Sequence, residues 1–368
     1  MENENNPTQR NGTSDKAVLY EEVGGEKYEV DLPLTSSADI KQMMQDLDLP
    51  SYIDLNYFPM KTAIAMIWAS QKAPELHKLY PNAYPKQADG KPISALLFGG
   101  AALKVHCEHS NGSGALSRSI KDTDSIVLKK QGGSFCRLLL NLDKAFGSQF
   151  KFFRTRGDTM FNAMRQGERY RIRNINGITR EGLPSVTVLD ILCDSIEMRH
   201  EISVKDSFSQ SMDNLYTIGL ENLILSKAQF ITDIPKTEAA AFIEQKQEFR
   251  FLSCDWYLQD KTILGMEEKD IKDVAAIFLD HPLGEGKENI NPTKMKKLLE
   301  KDKKMALTIM LNLQNVAKRT DLLDGWLTKN ESKTVIDRVQ NLLNAFPKID
   351  KKWDKPWWNT AVETPKIG

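Results

Sequence analysis

Apolar positions begin to recur at helical spacing from Ser36, where SSADIKQMMQDL opens on a Ser cap and brings Ile40, Met43, Met44 and Leu47 to one side. A second helix is predicted over KTAIAMIWASQKAPELHKLY, and the Pro, Gly and Asn of PNAYPKQADGKP then turn the chain into a loop. From Ile93 to about Glu201, strand-like and helix-like stretches alternate. The strand ISALLF, a Gly-Gly turn and the helix AALKVHCEH lead through the polar loop SNGSGAL into a strand, SIKDTDSIVL, and a helix, SFCRLLLNLDKAFG. Three further strands are predicted in QFKFFRT, ERYRIRN and SVTVLDILCD, with NING as a hairpin turn between the last two. After that the period is helical: GLENLILSKAQFI, KTEAAAFIEQKQEFRFLSCDWYL, EEKDIKDVAAIFLDH, NPTKMKKLLEKDKKMALTIMLNLQNVAKR and SKTVIDRVQNLLNAF each predict a helix.

This pattern predicts an α+β chain, a mixed β-sheet domain with flanking helices followed by an all-helical C-terminal domain. Residues 1–33, rich in Asn, Glu, Gly and Thr, predict a flexible N-terminal arm, because they carry too little apolar surface to offset the entropy of ordering. Residues 34–205 are assigned to the α/β domain with its N-terminal helices, 206–350 to the helical domain and 351–368 to a tail. The boundary is placed near Ser203 to Leu215, and the tail residues Trp353, Trp357 and Trp358 are expected to dock on the core.

Composition narrows the function classes. With 40% hydrophobic and 27% charged residues over 368 positions, the chain is globular rather than disordered. Fifty Lys and Arg balance fifty Asp and Glu, which excludes a global basic field and leaves any nucleic-acid contact to a local patch. Lys151 to Arg173 offers one, with Phe152, Phe153, Phe161 and Tyr170 among its Arg residues. It reads either as a surface that tracks phosphates and stacks bases or as strands with solvated Arg on one face. Cys107, Cys136, Cys193 and Cys254 lie far apart, which points to a reducing compartment. With no apolar leader and no long apolar span, a cytoplasmic protein without membrane contact is expected.

The chemistry is carried by carboxylates. Asp122 and Asp124, two apart on a predicted strand, share a face and suit one hard divalent cation. Asp-x-Asp arises about once by chance in a chain of this length, and Asp46 and Asp48 supply a second copy at a helix end before Pro50, where carboxylates are solvated. Asp122 and Asp124 instead run straight into the apolar SIVL, where like charges need a cation or a donor to compensate them. Asp190 interrupts the apolar run SVTVLDILCD, and a carboxylate there must be paired or ligate a metal. The alternative partner is an Arg from the segment 151–173. Gly99 and Gly100, between a strand and a helix, either admit phosphate oxygens to the helix N-terminus or simply make a tight turn. His106, Cys107 and His109 lack the further ligand that a closed zinc site needs, and no Gly-x-Ser-x-Gly or His-Glu-x-x-His is present to support a hydrolase.

The order FGGAAL, SRSIKDTD, VTVLDIL resembles the DNA polymerase β-type nucleotidyltransferase superfamily, and most closely its AbiEii-like branch of abortive-infection toxins. The resemblance runs over residues 93–345 and extends to Arg118 four positions before the first acid, Lys227 in GLENLILSKAQFI, and Lys269, Asp270 and Asp273 in EEKDIKDVAAIFLDH. It departs at Thr123, where a hydrophobic residue is usual, at Ile120, where Thr is common, and in about thirty residues of extra helix at 235–264.

The resemblance implies a nucleotidyltransferase fold and a metal-dependent enzyme that moves an NMP from an NTP to a hydroxyl and releases pyrophosphate. Asp122, Asp124 and Asp190 would hold Mg²⁺ or Mn²⁺, with Asp190 alternatively the base. Lys227 would neutralise triphosphate charge, and Asp270 would position Lys227 or the nucleotide. Gly99, Gly100, Arg118 and Lys269 complete the implied nucleotide site. Without the resemblance, Lys227 reads as a snorkelling surface Lys, and Asp270 and Asp273 as exposed acids beside Lys269 or Lys272. The implied acceptor is an RNA such as a tRNA end in a toxin-antitoxin or phage-defence setting, with an antitoxin protein as partner. A small-molecule or protein acceptor, and a catalytically idle nucleotide-binding protein, are the competing expectations.

Overall fold

A computed structural model describes residues 16–20, 27–31, 37–86, 90–146, 151–165, 167–178, 184–210, 216–238, 249–252, 260–349, 353 and 355–361. In chain order its elements are β1 (Lys16–Tyr20), β2 (Lys27–Asp31), α1 (Ser37–Asp46), α2 (Phe58–Leu79), β3 (Ala95–Phe98), α3 (Gly99–His106) and β4 (Asp122–Val127). There follow α4 (Gly132–Leu140), α5 (Asp143–Phe146), β5 (Phe152–Phe153), α6 (Arg156–Met164), β6 (Arg169–Ile178), β7 (Pro184–Cys193), β8 (Ser195–Glu197) and β9 (Glu201–Ser203). The second half holds α7 (Lys205–Gln210), α8 (Leu220–Ala228), β10 (Thr232–Pro235), β11 (Phe249–Leu252), β12 (Lys261–Glu267) and α9 (Glu268–Asp280). It ends in α10 (Pro292–Lys301), α11 (Lys303–Lys318), α12 (Thr320–Trp326) and α13 (Lys329–Asn344).

The central sheet is mixed, in the order β3-β4-β7-β6-β5, with β4 and β7 parallel and the other pairs antiparallel. Period-two alternation gives it two unlike faces. Ile172, Leu189 and Ile191 are buried on one, where α2 packs. That helix buries Met60, Ala63, Ile64, Met66, Ile67 and Ala69, which do not form a single stripe, so it runs through the core rather than over it. The buried apolar side chains from Ile40 in α1 to Phe346 after α13 form one cluster, so the two halves share a core; residues 211–215 of the expected boundary lie outside the described residues. The tail docks as expected, with Trp357 and Trp358 buried against Ile231, Ile263 and Leu307, and the Trp357 Nε1 donating to Thr308 Oγ1 at 3.0 Å.

Four expectations are corrected. The arm carries a hairpin: β1 and β2 pair from Lys16↔Asp31 to Tyr20↔Lys27, a local order that the polar average over residues 1–33 hides. NING makes no turn but lies inside β6, whose register shifts between Ile175 and Gly177, so the glycine serves a bulge. The C-terminal half is not all-helical, because β10, β12 and β11 form an antiparallel sheet; β11 lies inside KTEAAAFIEQKQEFRFLSCDWYL, which predicts helix throughout, although the first residues of that segment, 236–238, are helical. Ala, Glu and Gln favour a helix locally, yet FRFL finds a partner in the apolar run of β12, and tertiary pairing overrides propensity. Residues 239–248 and 253–259 of that segment, with Cys254, lie outside the described residues. The long helix expected over 291–319 breaks at Asp302, whose carboxylate accepts from the Lys304 and Met305 amides and caps α11. Among the described residues no helix is long and apolar enough to cross a membrane.

Candidate active site

Register brings the acids together. Asp122 and Asp124 share one face of β4, Asp190 of β7 pairs with Asp124, and Arg171 of β6 pairs with Asp190. Facing residues in register share a side, so one sheet face carries three carboxylates with Arg169, Arg171 and Arg173 beside them. Thr123, between the two acids, points to the other face, is fully buried, and donates through Oγ1 to the Pro59 carbonyl at 2.8 Å. A hydroxyl there ties β4 to the start of α2, which accounts for the departure from a hydrophobic residue. By contrast Asp46 is exposed and accepts from Trp68 Nε1 and Gln42 Nε2, a solvated helix end as expected.

Gly99 and Gly100 are not a turn but the first two residues of α3. Gly99 has φ +65°, and a Cβ built on it would stand 2.6 Å from Asp124 Oδ2. A Cβ on Gly100 would stand 2.5 Å from Ile120 Cγ2 and 3.5 Å from Arg118 Nη2. The pair therefore lets the β3–α3 junction close onto the acids, with Ile120 filling the space above Gly100. Gly99→Ala is expected to cost about 1–3 kcal/mol from the left-handed backbone and the contact together, and to displace Asp124; a denaturant melt measures the first.

Asp124 and Asp190 are pushed in opposite directions. Burial, and then the charges of Asp122 and Asp190, push the Asp124 carboxyl up to about 7, against the opposing pull of Lys227 and Arg169. Asp190 goes the other way. Burial alone would raise it, but Arg169 Nη2 at 2.6 Å from Oδ2, and Arg171 Nε at 2.9 Å from Oδ1, hold it below the usual carboxylate range. Arg171 Nη2 also donates to Oδ2 at 3.1 Å. Asp190 thus has the Arg partners that segment 151–173 offered, and both of its oxygens are taken.

This decides what the site can hold. Among the described residues no three acidic, His or Cys side chains converge as a metal cage. Asp122 and Asp124 fit a hard cation as a pair, since Mg²⁺ is commonly held by one or two carboxylates with substrate phosphates completing its shell. Asp190 instead has the Arg pairing that stood as the alternative to metal ligation, and a cation there would compete with Arg169 and Arg171 for its oxygens.

The cations come from both halves of the chain. Lys227 sits in the last turn of α8, nearly buried, with Nζ 2.6 Å from Asp273 Oδ2 and 3.9 Å from Asp270 Oδ1. It is no snorkelling surface Lys. Arg118 grips the same Asp273 with Nε at 2.8 Å and Nη2 at 2.6 Å. Asp273 is fully buried, not an exposed acid, and is the residue that sequence reasoning left without a role. The available signal was its place three residues after Asp270, on the same face of α9 and at the start of the apolar run VAAIF. Burial would raise Asp273, but Lys227 and Arg118 outweigh it and hold it low, whereas burial pushes Asp270 up to about 6 despite Lys227. Arg118 and Lys269 are placed here too, but the first is bound to Asp273 and the second pairs with Glu267 Oε2 at 2.7 Å.

Gly100, Arg118, Asp122, Asp124, Lys227, Lys269 and Asp270 all line one cleft of about 740 Å³, between the acidic sheet face and helices α8 and α9. Arg199, which sequence reasoning missed, forms part of its wall and donates through Nη1 to the Asn359 carbonyl at 2.8 Å, pinning the tail there. The residues of HCEH scatter: His106 Nε2 meets Thr217 Oγ1, Cys107 is buried as a free thiol, and His109 pairs with Asp280. Compared with protein-family models, curated proteins and solved structures, the chain finds no match.

Proposed function

We propose that the protein is a metal-dependent nucleotidyltransferase of the AbiEii-like kind, moving an NMP from an NTP to a hydroxyl acceptor and releasing pyrophosphate. The observation that carries this reading is one cleft that sets a paired, charge-strained Asp122 and Asp124 opposite a nearly buried Lys227. A divalent cation bound by the two acids would supply charge neutralisation on the phosphates and acidify a hydroxyl. Lys227 holds an ammonium toward the triphosphate, and Asp273 fixes where that ammonium stands. Asp270, at about 6, exchanges a proton near neutrality and faces the same space. The acceptor oxygen forms a bond to the α-phosphorus as the bond to the β-phosphate oxygen breaks, and the hydroxyl proton leaves to a carboxylate of the cleft. We assign an RNA acceptor such as a tRNA end, in a toxin-antitoxin or phage-defence setting with an antitoxin protein as partner.

The clamp on Asp190 favours a second reading, a nucleotide-binding protein with the third acid held out of use. One experiment separates them. Each α-labelled NTP is incubated with Mg²⁺ or Mn²⁺, the protein, and total RNA, beside Asp122→Ala/Asp124→Ala. Transfer predicts label in RNA that falls by more than about a thousandfold without the acids. Label in the protein itself or in an added small molecule moves the acceptor class, and no incorporation with any NTP supports the binding reading.

A further inference from the structure

Beside the cleft, the same sheet face continues into a surface outside the cleft's lining. Helix α6 lies along β6, pinned by Asn162, whose Nδ2 donates to the Arg171 carbonyl while its Oδ1 accepts from the Arg171 amide. Phe161, on α6, gathers three guanidinium groups: Arg171 at 4.5 Å from the ring centroid, and Arg165 and Arg169 each at 5.5 Å. Two of these three, Arg169 and Arg171, are the pair that grips Asp190, which stands in register with Asp124. An aromatic ring and cations therefore run without interruption from α6 to the edge of the acid pair.

The charge on this surface is one-sided. On α6 and at its C-cap, Arg156 and Arg165 are exposed, and so are Met160 at 59% and Met164 at 78%. The one acid of α6, Asp158, is buried and consumed by Arg173 and by the Thr155 cap. Glu168 nearby faces Lys129 at 3.7 Å. Guanidinium forks suit phosphate and carboxylate alike, but planar groups layered on an aromatic ring suit an unstacked base, which an acidic peptide does not offer. A duplex would keep its bases stacked on each other and leave the ring unused.

We infer that Phe161, Arg165, Arg169 and Arg171 form the seat for single-stranded RNA, stacking a base at Phe161 and leading the strand end to Asp190 and Asp124. This rests on the transfer reading in that the strand is the acceptor. Phosphates on the seat compete with Asp190 for Arg169 and Arg171, so a bound strand loosens the clamp on the third acid.

The test is fluorescence anisotropy of a labelled twelve-nucleotide single-stranded RNA on the full chain, as a function of salt. Phe161→Leu is expected to weaken binding at least fivefold, and Arg165→Ala to weaken it and flatten the salt dependence. Lys297→Ala, in the separate basic stretch of α10, is expected to leave binding unchanged, and all variants are checked for an unaltered melt. Polyglutamate of matched charge is expected to compete poorly. Unchanged binding in the Phe161 and Arg variants, loss in Lys297→Ala instead, or polyglutamate competing as well as RNA overturns the seat. Binding here without any label transfer would keep the seat and remove the transferase. Transfer to RNA that the seat variants leave untouched would do the reverse.

Discussion

Asp124→Asn, melted without added divalent cation at pH 8, is expected to unfold at a higher temperature than the native protein while losing transfer. In the native fold Asp124 lies among Asp122 and Asp190, and burial and those charges keep its proton on up to about pH 7, against 3.8 ordinarily. The sign follows from which state ionises first. As pH rises above 3.8 the unfolded chain gives up this proton and the folded one keeps it, so stability is greatest below that value, falls up to about 7, and stays reduced above. Asn cannot ionise and escapes the penalty, for a gain on the order of 1 kcal/mol after relaxation. Mg²⁺ or Mn²⁺ should raise the melting temperature of the native protein, by screening the same repulsion, and leave Asp124→Asn nearly unmoved. A variant less stable than the native protein at pH 8 would mean that the carboxylates do not repel and that nothing in the site calls for a cation.

Asp273→Ala should have the largest effect on stability of any single change in the cleft. It strips the shared counter-ion from Arg118 and Lys227, both of which approach it to 2.6 Å, and leaves two cations facing each other across a fully buried gap. Removing one member of a buried ionic cluster typically costs about 3–5 kcal/mol. A structural role alone would stop there. If Asp273 also positions the ammonium, Asp273→Ala/Lys227→Met will regain part of the stability by removing the stranded charge, yet remain without transfer and bind NTP no better than Lys227→Met. Recovery of nucleotide affinity together with stability would remove Lys227 from the triphosphate.

These two residues also show where the chain speaks for itself. Asp122 and Asp124 were legible because an i, i+2 spacing on a strand fixes a common face whatever the rest of the fold does. Asp190 was legible because a carboxylate in VTVLDIL must find a partner, though not which: the apolar run contains the demand, and only the antiparallel pairing with β6 shows that Arg169 and Arg171 meet it. Asp273 was hidden for the same reason. Its place at the head of VAAIF is all that sets it apart locally from Asp270, three residues earlier, and its two partners come from the loop before β4 and from α8, 155 positions away in the case of Arg118. The strands of the second half were missed because β11 is four residues long and its order comes from β12, a partner that a window centred on Ala and Glu does not contain. Local periodicity reads elements with a one-sided apolar stripe, such as α1 and α13; pairing and counter-charge across the chain decide the rest.

The claim that one cleft holds both a cation and a triphosphate is tested most directly by calorimetric titration of a non-hydrolysable NTP, with and without Mn²⁺, into the native protein, Asp122→Asn/Asp124→Asn and Lys227→Met. Binding that needs Mn²⁺ in the native protein, loses that need with the acids changed, and weakens at least tenfold in Lys227→Met with or without Mn²⁺ is the expected result. Equal affinity in all three proteins would place the nucleotide elsewhere and contradict the assignment of the site.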